Sequence, residues 1–157
     1  MLLMETITEI RRISYADILD SPDAASLLEE YSAECSIPEI GIPKPQRDLY
    51  DRMESSGLMH SFGAFYGSEI VGFAMIIIFI LPHYGKKIAN VESLFLSQSH
   101  RRGGAGKKLM EHIEAFAAER QCAGVLYNAR AESNLERLLE AVPKYKRTNS
   151  VFLWSAS

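Results

Sequence analysis

Between residues 101 and 108 the chain reads Arg101-Arg102-Gly103-Gly104-Ala105-Gly106-Lys107-Lys108, basic side chains on both sides of a run of small residues. Glycine admits positive φ and lets a ligand approach the backbone, and the first amides of a following helix have no intrahelical partner. Such a segment can bind a phosphate or pyrophosphate largely through main-chain N–H groups. The residues around it set it between a strand and a helix. Ahead of it, Val91-Glu92-Ser93-Leu94-Phe95-Leu96 has the length and bulk of a buried strand. Behind it, Leu109, Met110, Ile113, Phe116 and Ala117 recur at three- and four-residue steps, one face of an amphipathic helix. Glu92 is the only charged residue in that strand, and period two puts it on one face with Leu94 and Leu96. A carboxylate on a mostly apolar strand is costly unless paired or wet, which makes Glu92 a candidate general base.

Spacing separates the anion-binding loops that have this general form. A Walker loop needs Gly-x-x-x-x-Gly-Lys-Ser/Thr. With Gly106-Lys107 at its end, the first glycine would fall on Arg101 and the hydroxyl on Lys108. The dinucleotide pattern Gly-x-Gly-x-x-Gly fits Gly104 and Gly106 but meets Leu109 at its third position. Arg/Gln-x-x-Gly-x-Gly/Ala is satisfied by Arg101, Gly104 and Gly106. On this motif, with the strand before it and the helix after it, the chain resembles the GNAT N-acetyltransferase superfamily over about residues 7–154. The pairing of Pro82-His83-Tyr84-Gly85 with His100-Arg101 and Gly103-Gly104-Ala105-Gly106 is similar to a subset of that family met in phage and prophage genomes.

The resemblance implies an acyl-CoA site, with acetyl-CoA as donor and a small-molecule or peptide amine as acceptor, joined in one ternary complex. It carries coenzyme contacts to Leu94, Phe95 and Leu96 on the strand, and to Arg101, Arg102, Gly103, Gly104, Ala105, Gly106 and Lys107 in the loop. Asn128 and Asn134 are further candidates for the coenzyme arm, although capping explains an asparagine at a helix start almost as well. An ammonium acceptor with a pKa near ~10 must lose a proton before it attacks, and Glu92 stands where family members often place a glutamate base. The departing thiolate needs a donor, and here the chain departs from the family. The usual tyrosine, reckoned from Asn134, would fall on Ala141, leaving Tyr145 and Tyr127 as the catalytic candidates. The alternative is a GNAT-fold acyl-CoA-binding regulatory module with weak or no turnover. Acceptor recognition is expected in the proline-rich residues 37–45, with Tyr31, Glu34 and Glu39 beside them.

These residues need a frame. Residues 7–13 alternate as a half-buried first strand. Ser21 and Pro22 are a helix start, and Ala24, Leu27, Leu28 and Tyr31 its apolar stripe. Residues 46–55 form a second helix ended by Gly57, with Leu49, Tyr50 and Met53 on one side. Residues 61–66 and 70–80 form a hairpin whose continuously apolar second arm should be central and covered on both faces. After the turn at 82–85, residues 86–96 return antiparallel to the glycine loop. Residues 124–128 should lie parallel to that strand after a helical crossover. A helix over 132–142 stops at Pro143, and two short strands over 145–148 and 151–154 close the chain. The expectation is one α/β (α+β) domain over residues 1–157, a mixed, mainly antiparallel sheet of about six or seven strands with helices on both faces.

Composition narrows the alternatives. A length of 157 residues suffices for a real core, and a net charge of −3 offers no basic field for nucleic acid. The apolar run at 70–81 is too short for a bilayer, which needs ~20 residues, so no membrane association is expected. Met1-Leu2-Leu3-Met4-Glu5 lacks a basic start and a cleavage site. Cys35 and Cys122 give neither a disulfide framework nor metal spacing, which points to a reducing cytoplasm and no metal. Phe152 and Trp154 on terminal edge strands suggest a homodimer contact.

Overall fold

The computed structural model describes residues 8–156; Ile7, at the start of the expected first strand, and residues 1–5 lie outside them. Five strands make one sheet in chain order: β1 (Glu9–Arg12), β2 (Met59–Tyr66), β3 (Glu69–Leu81), β4 (Lys86–Leu96) and β5 (Val125–Tyr127). The first four are antiparallel neighbours, and β5 joins β4 in parallel, as a strand–helix–strand order requires. β3 is central and buried from Ile70 to Ile76. The two-sided cover expected for the whole apolar run stops there. β2 pairs with β3 only as far as Ile77, so the far end of the β3–β4 hairpin projects and leaves Phe79 and Ile80 exposed.

Helices α1 (Tyr15–Asp20), α2 (Ala24–Cys35) and α3 (Arg47–Ser55) cover one face, and α4 (Ala105–Glu119) covers the other. Alternation along β3 divides the core accordingly. Phe73 and Met75 pack with Tyr15, Ile18 and Leu27, while Ala74 and Ile76 pack with Leu109, Ile113 and Phe116. Each large side chain buried this way contributes about 1.5–3 kcal/mol. Gly72 lets β3 and β4 close up, since a Cβ there would stand 2.6 Å from the Phe95 carbonyl oxygen.

Beyond shifts of one to three residues at element ends, the structure differs from expectation at three places. The short α1 has no counterpart in the sequence reading. Its signal is a capping box, in which Ser14 Oγ accepts from Asp17 N at 3.0 Å and Asp17 Oδ2 accepts from Ser14 N at 3.4 Å. α2 opens with Asp23 at its N-cap, not Ser21. Ser21 Oγ accepts from Asp23 N at 3.2 Å, and Asp23 Oδ2 accepts from Ile70 N at 3.1 Å, tying the helix start to β3. After α5 (Asn134–Ala141), residues 145–148 and 151–154 form no strand, so the sheet has five strands and not six or seven. β propensity needs a partner edge, and β5 is only three residues long. The side chains there are held elsewhere, Lys144 on Glu114 at 2.7 Å and Arg147 on Glu136 at 2.8 Å.

Candidate active site

The glycine loop joins β4 to α4. After Leu96 the chain makes a single 3₁₀ turn over Gln98–His100, then passes Gly103 (φ 104°) and Gly104 (φ 83°), the latter the N-cap of α4. Positive φ at both positions is what glycine supplies. Among the described residues, the N–H groups of Arg102 through Lys107 meet no acceptor. A Cβ built at Gly103, Gly104 or Gly106 meets no atom within 4 Å, so the backbone there is open to an incoming group. Consecutive amides at the positive end of a fifteen-residue helix suit a diphosphate. Arg102, Lys107 and Lys108 are exposed around it, Lys107 facing Glu111 at 3.7 Å.

Arg101, expected to contact the anion, has its side chain engaged within the fold. Its Nε donates to the Leu96 carbonyl at 2.8 Å, its guanidinium pairs with Glu34, and it lies over the Phe95 ring at 5.4 Å. It is a strut that fixes the end of β4 to the end of α2. Glu34, expected to attract the acceptor, is consumed in that pair, and its main-chain oxygen accepts from Arg130 at 2.8 Å. Glu30, one turn earlier, accepts from Ser97 Oγ and from Gln98 N, each at 3.2 Å. The last turns of α2 thus hold both the entry to the glycine loop and the segment after β5.

β4 and β5 pair only from Ala89 to Val91 on β4, and Asn128 closes that ladder by donating to the Val91 carbonyl at 2.9 Å and to Asn90 Oδ1 at 3.0 Å. Beyond that point the β4 edge through Leu94, Phe95 and Leu96 has no strand beside it among the described residues. At the parting point β4 carries a bulge. Met75 stands opposite Ser93 and Ile76 opposite Val91, so Glu92 is the extra residue. The bulge resets the alternation. Val91 and Leu94 pack toward α4, and Leu96 beside Ala105, whereas Glu92 lines a cavity on the α1–α3 face. Glu92 therefore does not share a face with Leu94 and Leu96, as strict period two requires.

That cavity has a volume of about 310 Å³. Tyr15, Tyr31, Tyr50 and Phe73 present rings to it; Met53, Met59 and Met75 supply flexible apolar wall; Pro43 and Pro45 close one side. Only this last part of the proline-rich segment reaches it, and Glu39 does not. Tyr15 stacks on Tyr50 with ring centroids 4.0 Å apart, and Tyr31 packs edge-on to Phe73 at 5.3 Å. Burial and then the adjacent Glu92 carboxylate push the Tyr50 hydroxyl up to about 12. Tyr15 and Tyr31 are raised as well, by burial first and with Glu92 adding to it. Glu92 itself is exposed at the cavity mouth, and the Tyr50 phenol beside it stays protonated and can donate to it. Tyr15 and Tyr50 are lining residues of the candidate site that sequence reading misses: the first sits in the unrecognised α1, and the second reads as one more apolar-stripe residue.

The two tyrosines proposed as acids from sequence are elsewhere. Tyr127 Oη donates to Glu114 Oε1 at 3.0 Å and Tyr145 Oη donates to the same oxygen at 2.7 Å. Tyr127 packs in the α4-side core, across the sheet from the Glu92 cavity. Burial opposes ionisation of Glu114, but hydrogen bonds from Lys144, Tyr145 and Tyr127 outweigh it and hold the carboxyl below its ordinary range. Asn134 is the exposed first residue of α5, whose N-cap Ser133 accepts from Glu136 N at 3.2 Å. Asn134 Oδ1 faces Arg137 at 3.4 Å.

A model of the acetyltransferase (GNAT) family matches residues 24–139, and the chain belongs to that family. Its acetyltransferases use acetyl-CoA as donor. No curated protein matches the chain. Among solved structures it is similar to an aminoglycoside acetyltransferase from an uncultured soil metagenomic sample, in complex with sisomicin, at 18% identity and a TM-score of 0.73, covering 96% of this chain and 97% of that one. It is similar also to a ribosomal-protein-alanine N-acetyltransferase from Brucella melitensis, at 17% identity and a TM-score of 0.68, covering 96% and 99%. An aminoglycoside N-acetyltransferase in complex with CoA matches at 14% identity and a TM-score of 0.72, covering 98% and 97%. At such identities the likeness shows the fold alone.

Proposed function

We propose that the chain is an acetyl-CoA-dependent N-acetyltransferase in which Glu92 accepts the proton of an amine bound in the aromatic cavity. The observation that carries this reading is the position of Glu92. It stands on the bulge where β4 and β5 part, with the open β4 edge and the glycine loop on one side and the cavity on the other. The amides of Arg102 through Lys107 fit a pyrophosphate, and the uncovered edge through Leu94 to Leu96 fits an amide-bearing arm laid along it. When bound there, acetyl-CoA supplies the thioester. An acceptor ammonium gives up two protons in the overall exchange. One ends on the sulfur and the other leaves by Glu92, directly or through water, as the N–C bond forms and the C–S bond breaks. No cysteine is needed as nucleophile: burial raises the pKa of both Cys35 and Cys122, which keeps the thiols protonated.

Glu92→Gln tests the base. It should cut turnover by about 100-fold or more while leaving coenzyme affinity unchanged in calorimetry. Unchanged turnover would sink the assignment. The competing reading, an acyl-CoA-binding module without turnover, draws on Ala141 at the usual acid position and on the engagement of Tyr127 and Tyr145 by Glu114. Coenzyme binding with no thiol release on any amine would favour it. The chain's two free cysteines suit a reducing cytoplasm. We also infer self-association through the exposed apolar residues 151–154.

A further inference from the structure

The lining of the Glu92 cavity defines a class of acceptor. Four aromatic residues, Tyr15, Tyr31, Tyr50 and Phe73, line a space of about 310 Å³ in which Glu92 is the only carboxylate among the described residues. Two acids on the elements that wall it are engaged within the fold. Glu54 accepts from Tyr15 N at 3.0 and 3.1 Å and from Ser61 Oγ at 2.6 Å, and Glu34 is paired with Arg101. The one other charged residue on the wall is Lys44, a cation. A polycationic acceptor needs several carboxylates to replace its hydration, and here it would meet one, with a lysine opposed to it. A single ammonium beside Glu92 is different. Its charge is matched by one carboxylate, aromatic residues share the wall with that carboxylate, and an apolar body can pack against rings and methionines.

We propose that the acceptor is a primary monoamine with an apolar carbon body, of the arylalkyl or alkyl type, and not a polyamine or amino sugar. The inference rests on the acetyltransferase reading for its chemistry but on the cavity alone for its specificity. Glu92 serves first as counter-ion to the ammonium and then as the route by which its proton leaves. Volume limits the body to a small molecule, since the cavity lies at the low end of the ~300–1,000 Å³ typical of ligand pockets.

The test is thiol release from acetyl-CoA with 2-phenylethylamine, hexylamine, spermidine and kanamycin as acceptors. Calorimetry of the same amines and of coenzyme A runs alongside. The two monoamines should exceed the two polycations in kcat/KM by about 100-fold. Met53→Trp, on the half-buried wall contributed by α3, should raise the KM for 2-phenylethylamine about tenfold or more and leave coenzyme A affinity as it was. Preference for spermidine or kanamycin would overturn the acceptor class while leaving the acetyltransferase reading intact. Coenzyme binding without turnover of any amine would remove the transferase reading instead. Saturable binding of 2-phenylethylamine, weakened by Met53→Trp, would then still support the cavity assignment, and its absence would overturn it.

Discussion

Glu92 faces the aromatic cavity because one extra residue was put into β4. As the lone charge in an apolar strand it is conspicuous in the sequence, but period-two reasoning assigns it to the wrong face, since nothing in Val91-Glu92-Ser93 announces a bulge. Tyr127 and Tyr145 illustrate another case: their residue type suits an acid, and the structure places both hydroxyls on Glu114. Tyr127→Phe and Tyr145→Phe should each lower stability by about 1 kcal/mol in denaturant melts and leave thiol release unchanged. A collapse of turnover in either would return that hydroxyl to the chemistry. His60 offers a pH-dependent test. Its Nδ1 accepts from Arg12 at 2.9 Å, and burial, then Arg12 and Arg120, lower its pKa, so the folded ring is neutral. The unfolded chain takes up that proton near pH ~6.5, so the contribution is intact above that pH and is lost as pH falls toward the folded value. His60→Gln, which keeps an acceptor for Arg12, should show a shallower fall in Tm between about pH 7 and 5 than the unaltered chain.

At the level of elements, strands 2 to 4, the glycine loop and α4 are legible because long periodic runs and punctuating glycines specify them. α1 is not, because six residues are too few to show a period, and its capping box pairs Ser14 with an aspartate where glutamate is the usual partner. The C-terminal strands are overread because residue type reveals propensity but not the edge a strand must pair with. The loop supplies the cleanest element-scale test. Gly106 sits in the first turn of α4 with ordinary φ, and a Cβ there touches nothing within 4 Å. Gly106→Val should therefore fold normally, valine being no poorer a helix former than glycine, and weaken coenzyme affinity about tenfold or more by blocking approach to the amides. Gly104→Val would add strain at φ 83° and confound the two effects. Normal coenzyme affinity in the Gly106 variant would refute the site.

For the whole molecule, the conspicuous feature is the tail. Val151, Phe152 and Trp154 are 88%, 91% and 83% exposed, a density of apolar surface that soluble chains cover with a partner. A homodimer is expected by light scattering at high concentration, and Phe152→Ser with Trp154→Ser should convert it to monomer with little change in the melting of the monomer itself. A monomeric unaltered chain would remove the idea.

α2 belongs to both halves of the site. Glu30 and Glu34 hold the entry to the glycine loop, and Tyr31, between them in sequence, lines the cavity proposed for the acceptor. A rigid helix shared this way makes the two binding free energies interdependent, and linkage makes that dependence symmetric. Coenzyme A should tighten amine binding by some factor, the amine should tighten coenzyme A by the same factor, and Glu30→Gln should shrink both together.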